Sequence, residues 1–303
     1  MSLAAPATVR LRRRRLRQRD YIPYLFILPN ILLFVVFVLG PVLFAFAMSF
    51  TNWQGTVAGT WIGLRNYANL IDDDVFITAV RNTVLYSVGT VVPMLAISLG
   101  LAMMLDARLR GRTFYRVMVY LPVVISWVAA SVVWRMMFLH PDGIVNHFLS
   151  SVFGIQPLLW VADPVLALPA IMWMTLWKGL GFYTVVYLAG LQTIPAALYE
   201  AAMIDGAGRW QAFRSITLPL LRPTSLFALV IGIIGSFEVF IPVYLLTAGG
   251  PGYASMVLVM AIYRAAFSNN QMGYAAAIAV VLFFMILSVS LLQFKLFGKE
   301  VQY

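Results

Sequence analysis

Long apolar runs alternate with short polar segments along almost the whole chain. The runs cover Tyr21 to Phe50, Thr83 to Leu105, Val117 to Leu139, Val165 to Leu191, Ser225 to Leu246 and Tyr274 to Phe297. A helix needs about 20 apolar residues to cross the hydrocarbon core of a bilayer, so the pattern predicts six spans. The first run is longer than the roughly 7 to 15 residues of a signal-peptide core, so it reads as an uncleaved span despite Ala45-Phe46-Ala47 at its end. Thr51 to Asn82 is mixed and polar and predicts a loop with helical parts. Tyr199 to Pro223 is the second long polar insert.

Composition agrees with this pattern. Of 303 residues 62% are hydrophobic and 11% charged, with a mean hydropathy of +0.89, whereas soluble domains carry about a quarter charged residues. The expected class is an all-α integral membrane protein. The absence of cysteine excludes disulfides, thiolate metal sites and a cysteine nucleophile. Two histidines, His140 and His147, are too few for a His-rich metal site, and no metal site is expected. Neither H-E-x-x-H nor G-x-S-x-G occurs, so the sequence does not read as an enzyme.

The net charge of +10 is a topology signal rather than a nucleic-acid footprint. Arg10, Arg12, Arg13, Arg14, Arg15, Arg17 and Arg19 precede the first span; Arg108, Arg110, Arg112 and Arg116 lie between the second and third. Arg209, Arg214 and Arg222 lie in the Tyr199 insert, and Lys295 and Lys299 at the end, whereas the alternate segments hold only Arg65, Arg81 and Arg264. Basic residues near span ends stay cytoplasmic, which puts both termini and the insert inside the cell. Arg135 with Trp134, near the outer end of the third span, reads as a snorkelling anchor. The expected division is a basic arm over 1–20, a six-span domain over 21–297 and a cytoplasmic tail over 298–303.

The insert itself predicts two short helices. Thr193 and Pro195 suit a helix start, Asp205-Gly206 a stop, and a second helix from Arg209 to Thr217 would align Trp210 and Phe213 with Ile216 or Thr217. Pro219 and Pro223 mark its exit. Periodicity alone leaves open an interfacial amphipathic hairpin lying against the protein's own membrane face. The order of residues adds more: Glu200-Ala201-Ala202, then Asp205-Gly206-Ala207, then Phe213, Ile216, Leu218-Pro219 and Pro223. This resembles the EAA loop of permease subunits of ATP-binding-cassette (ABC) importers. Gly63-Leu64-Arg65-Asn66-Tyr67, Leu188-Ala189-Gly190-Leu191-Gln192 and Gly249-Gly250-Pro251 are similar to the carbohydrate-uptake branch, and the basic start is similar to its maltose-permease F type. Permeases for glycerol 3-phosphate belong to the same branch.

The resemblance implies the ABC type I importer permease fold in a bacterial or archaeal plasma membrane, working by alternating access. It implies as partners a second homologous permease, two ATPase subunits and an extracellular substrate-binding protein that meets the segment Trp53 to Asp74 and the loop Leu246 to Gln271. Glu200, Ala201, Ala202, Asp205, Gly206, Ala207, Trp210 and Phe213 would form the helix that couples to an ATPase. No Walker A sequence occurs here, so ATP and Mg would be bound by the partners, and no cofactor by this chain. A sugar or oligosaccharide is the leading substrate, with glycerol 3-phosphate as the alternative. An ion-coupled secondary transporter is the reading from another class, but clear titratable relays and inverted repeats are not found.

Lys178 and Glu238 fall inside predicted spans, where a charge facing lipid is costly, so both should face inward. Helix rise places them within about one turn in depth, which makes an ion pair feasible, either beside a translocation path or as a register-setting contact. Trp173, Trp177, Phe182, Tyr183, Ser236 and Phe240 supply aromatic faces and a hydroxyl for sugar binding. Matching to the maltose permease implies Lys178, Gly179, Phe182, Gly232, Gly235, Ser236 and Val239 as lining residues, and Trp177 and Glu238, taken from the sugar-binding chemistry, complete the expected substrate-lining set. Helix packing by small residues is the competing account of Gly232 and Gly235.

Overall fold

The structure, a computed structural model, describes residues 18–55, 59–107 and 111–297. Most of the basic arm, Arg108, Arg110, Lys299 and the tail 298–303 lie outside the described residues. Among the described residues the secondary structure is helical, apart from one isolated bridge between Thr51 and Trp61.

The chain divides after Ala47 into two units. The first holds α1 (Gln18–Phe34), a π-helical turn (Val35–Leu39) and most of α2 (Gly40–Met48). Tyr24–Met48 is long and apolar enough to cross a membrane.

The second unit begins with α3 (Arg65–Ile71) and α4 (Asp74–Asp106). The stretch expected as a loop up to Asn82 is therefore helical from Asp74. The cause is local: the Asp73 carboxylate caps the helix by accepting from the amides of Val75 and Phe76 at 2.8 and 3.2 Å. α5 (Arg112–Val124) and α6 (Trp127–Met137) occupy the third apolar run, bent by 96° to one another. α7 (Ile144–Phe153), α8 (Ala167–Gln192) and α9 (Ala196–Ile204) follow. α10 (Arg209–Ala212), a π turn (Phe213–Thr217) and α11 (Leu218–Leu220) run together through Pro219, which sits within the helix rather than marking its exit.

α12 (Arg222–Phe237) and α13 (Ile241–Leu246) divide the fifth run at Glu238–Phe240. α14 (Leu258–Tyr263), a π turn (Arg264–Ser268) and α15 (Met272–Phe297) complete the described chain. Among the described residues three helices are long and apolar enough to cross a membrane, and up to six segments are if each bent pair counts as one.

α4 is the hub. A stripe of small polar residues, Thr83, Ser87 and Thr90, recurs along it at helical spacing and is buried. Thr83 Oγ1 accepts from the Leu258 amide at 2.9 Å, and Ser87 Oγ meets Ser236 Oγ at 2.6 Å. Further along α4, the Ser98 hydroxyl donates to the Leu180 carbonyl at 3.1 Å. Asn82 donates to the carbonyls of Tyr253 and Ala254 at 3.1 Å each. In an apolar surrounding such bonds, with close approach at small residues, hold helices together where burial of greasy surface contributes little.

Candidate functional site

Two places in the second unit bring the predicted residues together. The first is the hairpin after α8. The α8 axis ends at Gln192 and α9 leaves at 68° to it. α9 stops in a Schellman motif: Gly206, at φ +79°, donates to the Met203 carbonyl at 3.1 Å, and Ala207 to the Ala202 carbonyl at 2.8 Å. The left-handed turn needs the glycine, and nothing crowds that position. Tyr199 Oη and Thr217 Oγ1, 2.9 Å apart, tie the two legs. Trp210 and Phe213 touch with tilted rings whose centres are 5.3 Å apart, as their three-residue spacing predicts.

Glu200, Ala201 and Asp205 are exposed on this hairpin, and Ala202, Ala207 and Phe213 half-buried. Large apolar side chains also stand out from it: Met203 is 67% exposed, Ile204 87% and Trp210 71%.

The second place is a cavity of about 480 Å³ at the interruption between α12 and α13. It brings together Gly179 from α8 with Gly232, Gly235, Ser236, Glu238 and Val239 from α12 and the interruption that follows it. Those six come from the predicted lining set, and three members do not line the cavity. Trp177 packs edge-on against Trp134, ring centres 5.6 Å apart, in an aromatic cluster with Trp160, Trp173 and Phe138. Phe182 points outward from α8 and touches Tyr183 by its edge.

Lys178 is buried, but not against Glu238. Its Nζ donates to the carbonyls of Pro122, Val123 and Ile125 at 3.2, 3.3 and 2.5 Å and lies 4.8 Å from the ring centre of Trp127. The expected ion pair gives way to backbone carbonyls because α5 stops beside Lys178 and leaves carbonyls without helical partners. Arg135 extends towards the Leu245 carbonyl at 3.5 Å.

The sequence reading missed the α4 and α6 walls of the cavity. Tyr86, Thr90 and Trp127 line it together with Thr175 and Tyr183 of α8, and the Tyr86 hydroxyl donates to Thr175 Oγ1 at 2.7 Å. The polar stripe on α4 was a usable signal for that wall. Trp127 carried none, since its place depends on the bend between α5 and α6. Among the described residues no cluster of His, Cys, Asp and Glu could hold a metal ion.

Residues 83–297 match the family described as binding-protein-dependent transport system inner membrane component. The chain belongs to this family. It is 38% identical over 290 residues to a probable ABC transporter permease of Bacillus subtilis, covering 93% of this chain and 99% of that protein. The arabinooligosaccharides transport system permease of the same species is 35% identical over 91% of this chain and 88% of its own length. The lactose transport system permease of Rhizobium radiobacter is 36% identical over 92% and 94%. Among solved structures, a bacterial ABC transporter involved in import of the acidic polysaccharide alginate superposes with a TM-score of 0.82 at 29% identity, covering 94% of this chain and 97% of that one. A second structure of a bacterial alginate transporter, in complex with a periplasmic protein bound to an alginate pentasaccharide, superposes with a TM-score of 0.79 at 29% identity, covering 91% and 93%. The permease thus has the ABC importer permease fold, and the curated relatives cited here are permease subunits.

Proposed function

We propose that this permease subunit moves a neutral sugar or oligosaccharide through the cavity between α4, α6, α8 and α12. The observation that carries the reading is the character of that wall. Tyr86, Trp127 and Tyr183 offer aromatic faces, and Thr90, Thr175 and Ser236 offer hydroxyls, the combination that sugar C–H faces and hydroxyl groups require. Its one charged side chain is the Glu238 carboxylate. Glycerol 3-phosphate would call for cationic donors, and Lys178, the basic residue of the predicted lining set, is spent on backbone carbonyls. Relatives named for arabinooligosaccharides and lactose support the sugar reading. The alginate importer shares the backbone while importing an acidic polysaccharide, so fold alone leaves substrate charge undecided.

The same reading counts six spans, with both termini cytoplasmic and the basic arm and tail as flanking segments. The hairpin of residues 195–223 then faces the cytoplasm. Its exposed Met203, Ile204 and Trp210 form the surface an ATPase subunit covers, with Glu200 beside them. Exposed apolar side chains at that density mark a binding surface. Closure of two ATPases on ATP and Mg would turn the bent helices between outward- and inward-open arrangements. A second permease and an extracellular binding protein complete the importer, and this chain itself binds no cofactor.

The test is a complete importer reconstituted in liposomes, with the binding protein screened by thermal shift against neutral disaccharides, uronate oligosaccharides and glycerol 3-phosphate. ATP-dependent uptake of a neutral sugar that the binding protein selects is the expected result. Selection of glycerol 3-phosphate or a uronate would sink the substrate reading, and uptake without ATPase subunits would sink the importer reading.

A further inference from the structure

Lys178 is 5% exposed and is the one charged residue of α8. A buried ammonium persists only where its three protons find acceptors. Here they come from one place: the carbonyls of Pro122, Val123 and Ile125, at and just beyond the C-terminal turn of α5. Carbonyls at a helix end have no partner in the helix and carry its negative dipole end. Inside a span no water is present to satisfy them. The ammonium is thus matched to the break in charge, in proton count and in distance.

Two neighbouring features tie this contact to the cavity. A Cβ at Gly181 would lie 2.4 Å from the Val119 carbonyl oxygen and 2.9 Å from Tyr120 Cα. Only glycine lets α5 lie that close to α8, and Lys178 sits three residues earlier, level with the end of α5. On the far side of the bend, Ser126 caps α6 by accepting from the Ala129 amide at 3.2 Å. Trp127, the first residue of α6, has its ring 4.8 Å from the ammonium and lines the cavity. The charge is therefore bonded to one arm of the bend and lies over the aromatic face on the other.

We propose that Lys178 is a positioning residue of the cavity. Its ammonium fastens the α5 terminus to α8 and holds the Trp127 indole in the cavity wall by a cation–π contact. This accounts for a lysine in mid-helix without giving it an ion-pair partner or a ligand, and it makes α8 the reference against which the α5–α6 bend is set. It depends on local geometry alone and holds whatever the substrate.

The test uses the complete importer in lipid nanodiscs, labelled with 5-fluorotryptophan. The Trp127 fluorine resonance is the one lost in Trp127→Phe. Lys178→Met is expected to shift that resonance and increase its broadening by a soluble gadolinium chelate, while the Trp134 and Trp177 resonances stay in place. Lys178→Arg, which keeps charge and donors, is expected to restore it. An unshifted Trp127 resonance in Lys178→Met overturns the proposal, as does an equal disturbance of all tryptophans. If Lys178→Met fails to assemble, Lys178→Gln is read by the same criteria, and loss of assembly in the Arg variant as well would make the role purely structural and overturn positioning of Trp127.

Discussion

The α9–α10 hairpin and the α5–α6 bend break the usual burial rule in opposite directions. In the hairpin, Ile204 and Trp210 stand in the open. At the bend, a lysine is sunk among helices. Both are changes of chain direction, one turning at Gly206 and the other, of 96°, falling just after the end of α5. They differ in what completes them. The hairpin closes on its own hydrogen bonds and leaves an apolar surface over. The bend leaves carbonyls over and is completed by a side chain from 53 to 56 residues away. Changes at the hairpin should therefore act on assembly and coupling, and changes at the bend on stability and on the cavity.

The largest effect is expected from Gly181→Val. Its Cβ would collide with the backbone of α5, not with a flexible side chain, so the helices must part. Overpacking of this kind costs about 1 to 3 kcal/mol or more. Thermal unfolding of the assembled importer should show it, and an unchanged midpoint would mean the approach of α5 to α8 is looser than described.

Gly206→Pro comes next. The ring fixes φ near −65° where the turn needs +79°. Membrane insertion should be retained while substrate transport is uncoupled from ATP hydrolysis. Unchanged reconstituted transport would remove the coupling role from the hairpin.

A third variant, Glu238→Gln, should leave the folded importer intact and narrow the discrimination between neutral and acidic sugars. Direct binding of each to the detergent-solubilised importer measures this, and equal rejection of acidic sugars by both forms would take the charge-selecting role from Glu238. The smallest effect on stability is expected from Ile204→Ser, within about 0.5 kcal/mol as for other exposed positions. Its retention of the ATPase subunits during purification should nevertheless fall. A stability loss as large as that of Gly181→Val would erase the contrast between the two regions.

Much of the fold was legible from apolar run length, since a membrane leaves helices little freedom in length. The hairpin was legible in detail because capping and left-handed glycine are local. Its second helix was misjudged at Pro219, where a π turn absorbs the change of register. Six of the nine predicted lining residues line the cavity, while Trp177, Lys178 and Phe182 do not, because helix rotation and the route of α5 decide which way each one points.

From the sequence alone came the membrane class, the charge asymmetry on which the proposed orientation rests, and a turn at Gly206 whose geometry any surrounding would produce. Only the tertiary structure decided where the ammonium of Lys178 goes and which aromatic faces the cavity. The physical reason is range. Backbone conformation at a glycine is set within a few residues, whereas a buried charge takes the best acceptors that packing brings to it. Here those acceptors lie on a helix that comes close enough only because residue 181 lacks a side chain.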